Sequence, residues 1–213
     1  VRHGVDPDIF KPSGAARNEL FHATTSITHW ERKGTLELVR AYRNLRRIGV
    51  ELPKLVVRVP LRSRPPFDVE LDDDVEVEMG HSLQPDRFAK RLGSVSAVVC
   101  PSRGEGLGII PIESRLSGVV PILTNCSGHI EHVDHDTDVI IEHGDLTDSW
   151  PGDIGLAPEV LIEDIEDALI RFVEEGSSRR EVLLTKRASL AKVWSWESVL
   201  RPLVEVVDWL SRR

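Results

Sequence analysis

The sequence predicts an α/β domain in which a parallel sheet is covered by helices on both faces and followed by C-terminal helices. Three observations carry this prediction. Runs rich in Val, Ile and Leu alternate with segments of helical period. Most of these runs lack polar alternation, as strands buried on both faces do. Beyond Pro158 the helical period continues without further strands.

Taken in order, residues 19–25 read as the first strand, and residues 32–48 as a helix with Leu36, Val39, Tyr42 and Leu45 on one face. Residues 55–59 are a strand interrupted only by Arg58, and residues 75–79 a strand alternating with Glu76 and Glu78. Residues 62–74 form the loop between them, with Pro65, Pro66, Asp72, Asp73 and Asp74. A short helix over 85–92, a buried strand over 95–100, a helix opening over 110–116 and strands over 119–123 and 139–142 complete the alternating series. Helices are expected over 159–175, 178–193 and 197–210. Trp194, Trp196, Leu203, Val204, Val207 and Trp209 exceed one helical stripe, so the last helix is expected to pack in a core or dock on another body.

Composition narrows the function. The 213 residues are 40% hydrophobic and 29% charged, which fits neither a disordered chain nor a membrane protein. No apolar run approaches the roughly 18 residues of a bilayer span. The net charge of −8, with no segregated basic stripe, argues against a broad nucleic-acid surface. Only Cys100 and Cys126 are present and no signal-like segment opens the chain, so a reducing, cytoplasmic setting is expected. The first residue, Val1, is consistent with a piece of a longer protein.

The chemistry concentrates in residues 98–113, VVCPSRGEGLGIIPIE. A buried strand ends at Cys100, and Gly104, Gly106 and Gly108 then let the backbone approach a ligand closely with several N–H groups aimed one way. The helix that follows adds a partial positive charge suited to phosphate. Glu105 and Glu113 can hold hydroxyls at the two ends of a nucleotide sugar. A dinucleotide fingerprint does not fit, because it requires G-x-G-x-x-G directly after the first strand. A tight structural turn with two solvated acids is the plainer alternative.

The segment PSRGEGLGIIPIESRLSGVVPILTNCSGHIEHV closely resembles the Glu-x7-Glu region of retaining family-4 glycosyltransferases of the GT-B fold. HGVDPDIF near the start, ERKG at residues 31–34 and VWSWESV at residues 193–199 match further family segments in order. The resemblance implies a Rossmann-like domain forming one half of a GT-B architecture, with residues 1–213 as the donor-binding domain. The helix over 194–213 would then pack toward a separate N-terminal acceptor-binding domain. It implies donor-sugar contact by Glu105, ribose contact by Glu113, and phosphate or sugar contacts at the backbone of Gly106, Leu107 and Gly108. Lys33 matches the lysine that neutralises the departing diphosphate. The family's arginine has no counterpart, since residues 24–27, which include Ser26, stand in its place; Ser26 is assigned to the donor and Arg32 as the substitute cation. Gly128 and Glu131 match a donor-side loop, and the base is expected at residues 77–81, Met79 among them. Such enzymes transfer sugar from a nucleoside diphosphate with retention, and no metal or other cofactor is expected.

Two acidic clusters invite a metal reading. Asp72, Asp73 and Asp74 have Asp-x-Asp spacing but read first as a solvated loop. In HIEHVDHD, His129, His132 and Asp136 would share a face if helical; loop contact with the ligand is the stronger reading. The functional expectation is therefore a donor-binding glycosyltransferase half that binds a uridine or guanosine diphosphate but transfers little sugar alone. The alternative is a non-catalytic nucleotide or sugar-nucleotide binding module.

Overall fold

The computed structural model describes residues 3–13, 17–24, 30–60, 75–80, 83–148 and 155–212. Six strands, β1 (Glu19–Ala23), β2 (Lys54–Pro60), β3 (Val75–Gly80), β4 (Ala97–Cys100), β5 (Val120–Thr124) and β6 (Val139–Ile141), form one sheet in the order β3-β2-β1-β4-β5-β6. Every pairing in it is parallel. The connections between them carry α1 (Thr35–Arg47), α2 (Pro85–Leu92) and α3 (Ile109–Leu116). Strand order reverses between β1 and β4, and the crevice beyond their carboxyl ends is where open sheets of this kind bind ligands.

The apolar runs are explained by burial on both faces. Successive residues of a strand point to opposite sides. Leu20, Val57, Val99 and Ile122 join one core with Leu38, Tyr42 and Leu45 of α1, whereas Phe21, Val56, Val98 and Leu123 join the other with Leu92, Ile112 and Leu116.

Two departures from the sequence reading matter. First, α1 begins at Thr35 rather than residue 32, so Arg32 and Lys33 lie in the turn before the helix. Second, the expected helices over 159–175 and 178–193 are one 33-residue helix, α4 (Ile162–Trp194). The supposed break at Gly176 is a packing position, since a β-carbon there would meet the Phe172 ring at 2.6 Å. Before it lies an unanticipated antiparallel pair, β7 (Leu146–Asp148) and β8 (Leu156–Pro158).

The last helix, α5 (Trp196–Ser211), starts at Ser195, whose Oγ accepts from the Ser198 N–H at 3.2 Å as an N-cap. Its Leu203, Val204, Val206, Val207, Trp209 and Leu210 are exposed. Among the described residues, no helix is long and apolar enough to cross a membrane.

Candidate functional site

The glycine loop, residues 101–108, rises from the carboxyl end of β4 beside the end of β1, at the reversal point. The turn after β1 is clipped to it: the Arg103 N–H donates to the Arg32 carbonyl at 2.8 Å, and Arg32 Nη1 to the Gly104 carbonyl at 2.6 Å. Lys33 Nζ donates to Glu105 Oε1, while Arg32 Nη1 lies 3.7 Å from Oε2. Burial would raise the Glu105 carboxyl, but the Lys33 charge and hydrogen bond, with the Ser102 hydroxyl, outweigh it and hold the group below its ordinary value. Two cations around one carboxylate leave a local excess of one positive charge facing the loop amides.

A second layer fixes the loop. Ser127 Oγ accepts from the Glu105 N–H at 3.1 Å and donates to its carbonyl at 2.8 Å, and the Gly128 N–H donates to the same carbonyl at 3.1 Å. Gly128 lies so close to the Gly106 backbone that a β-carbon would sit 2.7 Å from it. His132 Nε2 donates to the Leu107 carbonyl at 2.7 Å, and Arg115 Nη1 donates to its Nδ1 at 3.3 Å. Arg115 in turn grips Asp138, both fully buried. At Gly108 the backbone is left-handed, φ 71°, and an added β-carbon would meet the His129 ring at 2.3 Å.

The histidines here are neutral at pH 7. Burial pushes His22 and His132 down to about 4, the Arg115 charge contributing at His132, and burial also lowers His129. His129 Nδ1 donates to the Thr124 carbonyl at 3.0 Å, and its buried Nε2 meets no hydrogen-bond partner among the described residues. HIEHVDHD lacks the helix that would have set His129, His132 and Asp136 on one face: it opens in a 3-10 turn, Ser127–Glu131, and continues into further turns. Asp134 and Asp136 bind Lys186 instead of a shared centre. Among the described residues, no three His, Cys, Asp or Glu side chains converge to hold a metal ion.

Two cavities meet at this loop. A small one, about 40 Å³, holds Lys33, Glu105, Gly108 and His129. A larger one, about 640 Å³, is bounded by Thr24, Arg58, Gly80, Phe88, Glu113 and Trp196. Ala23, Ile109 and Ile110 line both. Glu113 is the fifth residue of α3, at the start of its second turn.

No family model and no curated protein matches the chain in sequence. Solved structures do match in shape. Sucrose-phosphate synthase from Thermosynechococcus elongatus is similar over 100% of this chain and 52% of its own, at TM-score 0.72 and 16% identity. Anabaena HepE, solved in complex with UDP and glucose, is similar over 96% of this chain and 55% of its own, at TM-score 0.70 and 13% identity. The C-terminal domain of the Francisella tularensis group 1 glycosyltransferase LpcC matches over its whole length and 91% of this chain, at TM-score 0.62 and 16% identity. The fold is that of a GT-B glycosyltransferase C-terminal domain. The chain thus spans about half the length of the full-size glycosyltransferases it resembles.

Within this fold, the structure brings together most of the residues singled out from the sequence. Arg32, Lys33, Glu105, Gly106, Leu107, Gly108 and Gly128 form one constellation, and Glu113 lines the adjoining cavity. Met79 is 58% exposed and does not line that cavity, which Gly80 does. Ser26 and Asp72, Asp73 and Asp74 lie outside the described residues. Arg58 and Arg115 were not expected as parts of the site, though Arg58 left a signal as the polar interruption of an apolar strand; His129 and His132 were expected as ligand contacts or metal ligands, not as supports of the loop.

Burial lifts the Glu113 carboxyl to about 7 from an ordinary 4.5. Between those values the folded chain keeps a proton that the unfolded chain has released. The stability this confers is full below 4.5 and is lost as pH rises through 7. Glu113→Gln, which cannot ionise, is expected to gain melting temperature over the native chain at pH 8 relative to pH 5. A difference indifferent to pH would show a solvated carboxyl.

Proposed function

We propose that this chain is the donor-binding half of a retaining glycosyltransferase, which holds a nucleoside diphosphate sugar for transfer to an acceptor. The observation that carries the reading is the ion-paired Lys33–Glu105 constellation under the glycine loop, opening onto the cavity of Glu113 at the sheet's reversal point. The excess positive charge of Lys33 and Arg32 over Glu105, with the amides at the start of α3, suits a diphosphate. Glu105, kept ionised, accepts from sugar hydroxyls, and Glu113 meets the ribose. HepE, of the same fold, was solved with UDP and glucose, which supports the donor class.

Chemically, the glycosidic C–O bond to the diphosphate breaks through an oxocarbenium-like transition state, so the protein acts by stabilising the leaving group and orienting the acceptor. Lys33 and the loop amides can neutralise that charge without a divalent cation. The acceptor-binding domain of the same protein would close the other side of the cleft, with the exposed apolar face of α5 packed toward it. The chain alone is then expected to bind donor and turn over little.

Calorimetric titration with UDP, GDP and ADP tests the reading directly. A charge-assisted bond to phosphate is worth roughly 1.5–3 kcal/mol, so Lys33→Ala is expected to weaken nucleoside diphosphate binding by about 10- to 100-fold. Unchanged binding by that variant would remove Lys33 from the phosphate site.

A further inference from the structure

We infer that Arg58 reads the base of the bound nucleotide and favours the keto bases guanine and uracil over adenine. The inference rests on the proposed nucleotide reading of the two adjoining cavities. Strand β2 turns Val57 and Val59 into the core beneath α1 and places Arg58 on the opposite face, with Val56. There its side chain is 11% exposed and lines the 640 Å³ cavity. The guanidinium lies against the backbone of Gly80, whose missing β-carbon would sit 2.8 Å from Nη2. Any side chain at position 80 would displace it.

The position along the ligand follows from the two cavities. Lys33, Glu105 and Gly108 line the small one, which at about 40 Å³ is too small to enclose a hexose, so the phosphates and sugar lie across its mouth. Glu113 lies past the common wall of Ala23, Ile109 and Ile110, where the ribose meets it. The base then points farther along the large cavity, toward the ends of β2 and β3, where Arg58, Pro60 and Gly80 form the wall.

A guanidinium is a donor-only group with a fixed fork. Guanine offers it two neighbouring acceptors, O6 and N7, and uracil offers carbonyl oxygens. Adenine presents an amine donor at the matching place, which would leave a desolvated N–H opposite another. The pairing of Arg58 does not prevent this role. Nη1 pairs with Glu78, but the other oxygen of Glu78 accepts from Arg91 Nε at 2.9 Å, and Arg91 also reaches Glu19 at 2.8 Å. Glu78 therefore keeps a cation when Arg58 turns toward a ligand.

Titrating the native chain and Arg58→Gln with GDP, UDP and ADP tests this. The native chain is expected to bind GDP or UDP about 10- to 100-fold more tightly than ADP. Arg58→Gln is expected to remove that preference, mainly by weakening the keto-base ligand. Arg58→Lys, which keeps the charge beside Glu78 but loses the fork, is expected to behave likewise and serves if the glutamine variant fails to fold. A preference that survives both substitutions, or a native preference for ADP, overturns the inference alone. A native chain that binds none of the three overturns the nucleotide reading and this inference with it.

Discussion

Replacing Arg115 with methionine is expected to destabilise the chain by about 3–5 kcal/mol, because it strands a buried carboxylate. Arg115 and Asp138 are 1% and 0% exposed, and the guanidinium donates to both carboxylate oxygens. The remaining partners of the Asp138 carboxylate, the Asp134 N–H at 2.8 Å and the Thr137 hydroxyl at 3.1 Å, are neutral donors and cannot replace the lost charge; Arg179 donates only to the Asp138 main-chain carbonyl, at 2.6 Å. Adding Asp138→Asn removes the stranded charge and is expected to recover more than half of the loss. The same change reaches the site, since Arg115 is the donor that holds His132 against the Leu107 carbonyl. Urea denaturation of the single and double variants measures the first effect and UDP titration the second. A single-variant loss below about 1 kcal/mol, the size of a surface pair, would contradict the buried pairing.

This network also marks the limit of what the sequence discloses. The glycine loop was legible because Gly104, Gly106, Gly108, Glu105 and Glu113 are close in sequence and their chemistry depends on that spacing. The sheet was legible because burial on both faces leaves unbroken apolar runs such as residues 97–100, all buried. His132 and His129 were not legible as supports of the loop, because their partners Arg115, Leu107 and Thr124 come from other elements. A run of His, Glu and Asp looks like a metal site until the fold turns two of its histidines inward. Gly176 read as a helix break for a related reason. Its intrinsic cost of roughly 0.5–1 kcal/mol is local, while the packing of α4 on β5, β6 and α1 that overrides it is not. The pair β7 and β8 has only three residues per strand, with Leu146 and Leu156 exposed, too short for any period to show.

Glu105→Gln is expected to separate two properties of the site that most substitutions would lose together. The amide is nearly isosteric with the carboxylate, so the loop, held at the Glu105 backbone by Ser127 and Gly128, keeps its course. What changes is charge. Arg32 and Lys33 lose their shared counter-ion, and the local excess rises from one positive charge to two. A diphosphate lacking a sugar should then bind the variant at least as tightly as the native chain. If the chain is the donor-binding half proposed above, sugar transfer depends on the carboxylate itself, as acceptor of charge-assisted hydrogen bonds from donor hydroxyls; losing them is then expected to reduce kcat/KM of the complete enzyme by about 10- to 100-fold or more. Titration with UDP and kinetics with the sugar nucleotide provide the two readouts, with a melting curve to verify folding. Full transfer activity would take Glu105 out of the sugar site. A parallel loss of UDP binding in a folded variant would instead show that Glu105 serves only to position Lys33, because a carboxylate that contacts the sugar has no reason to hold the diphosphate it repels.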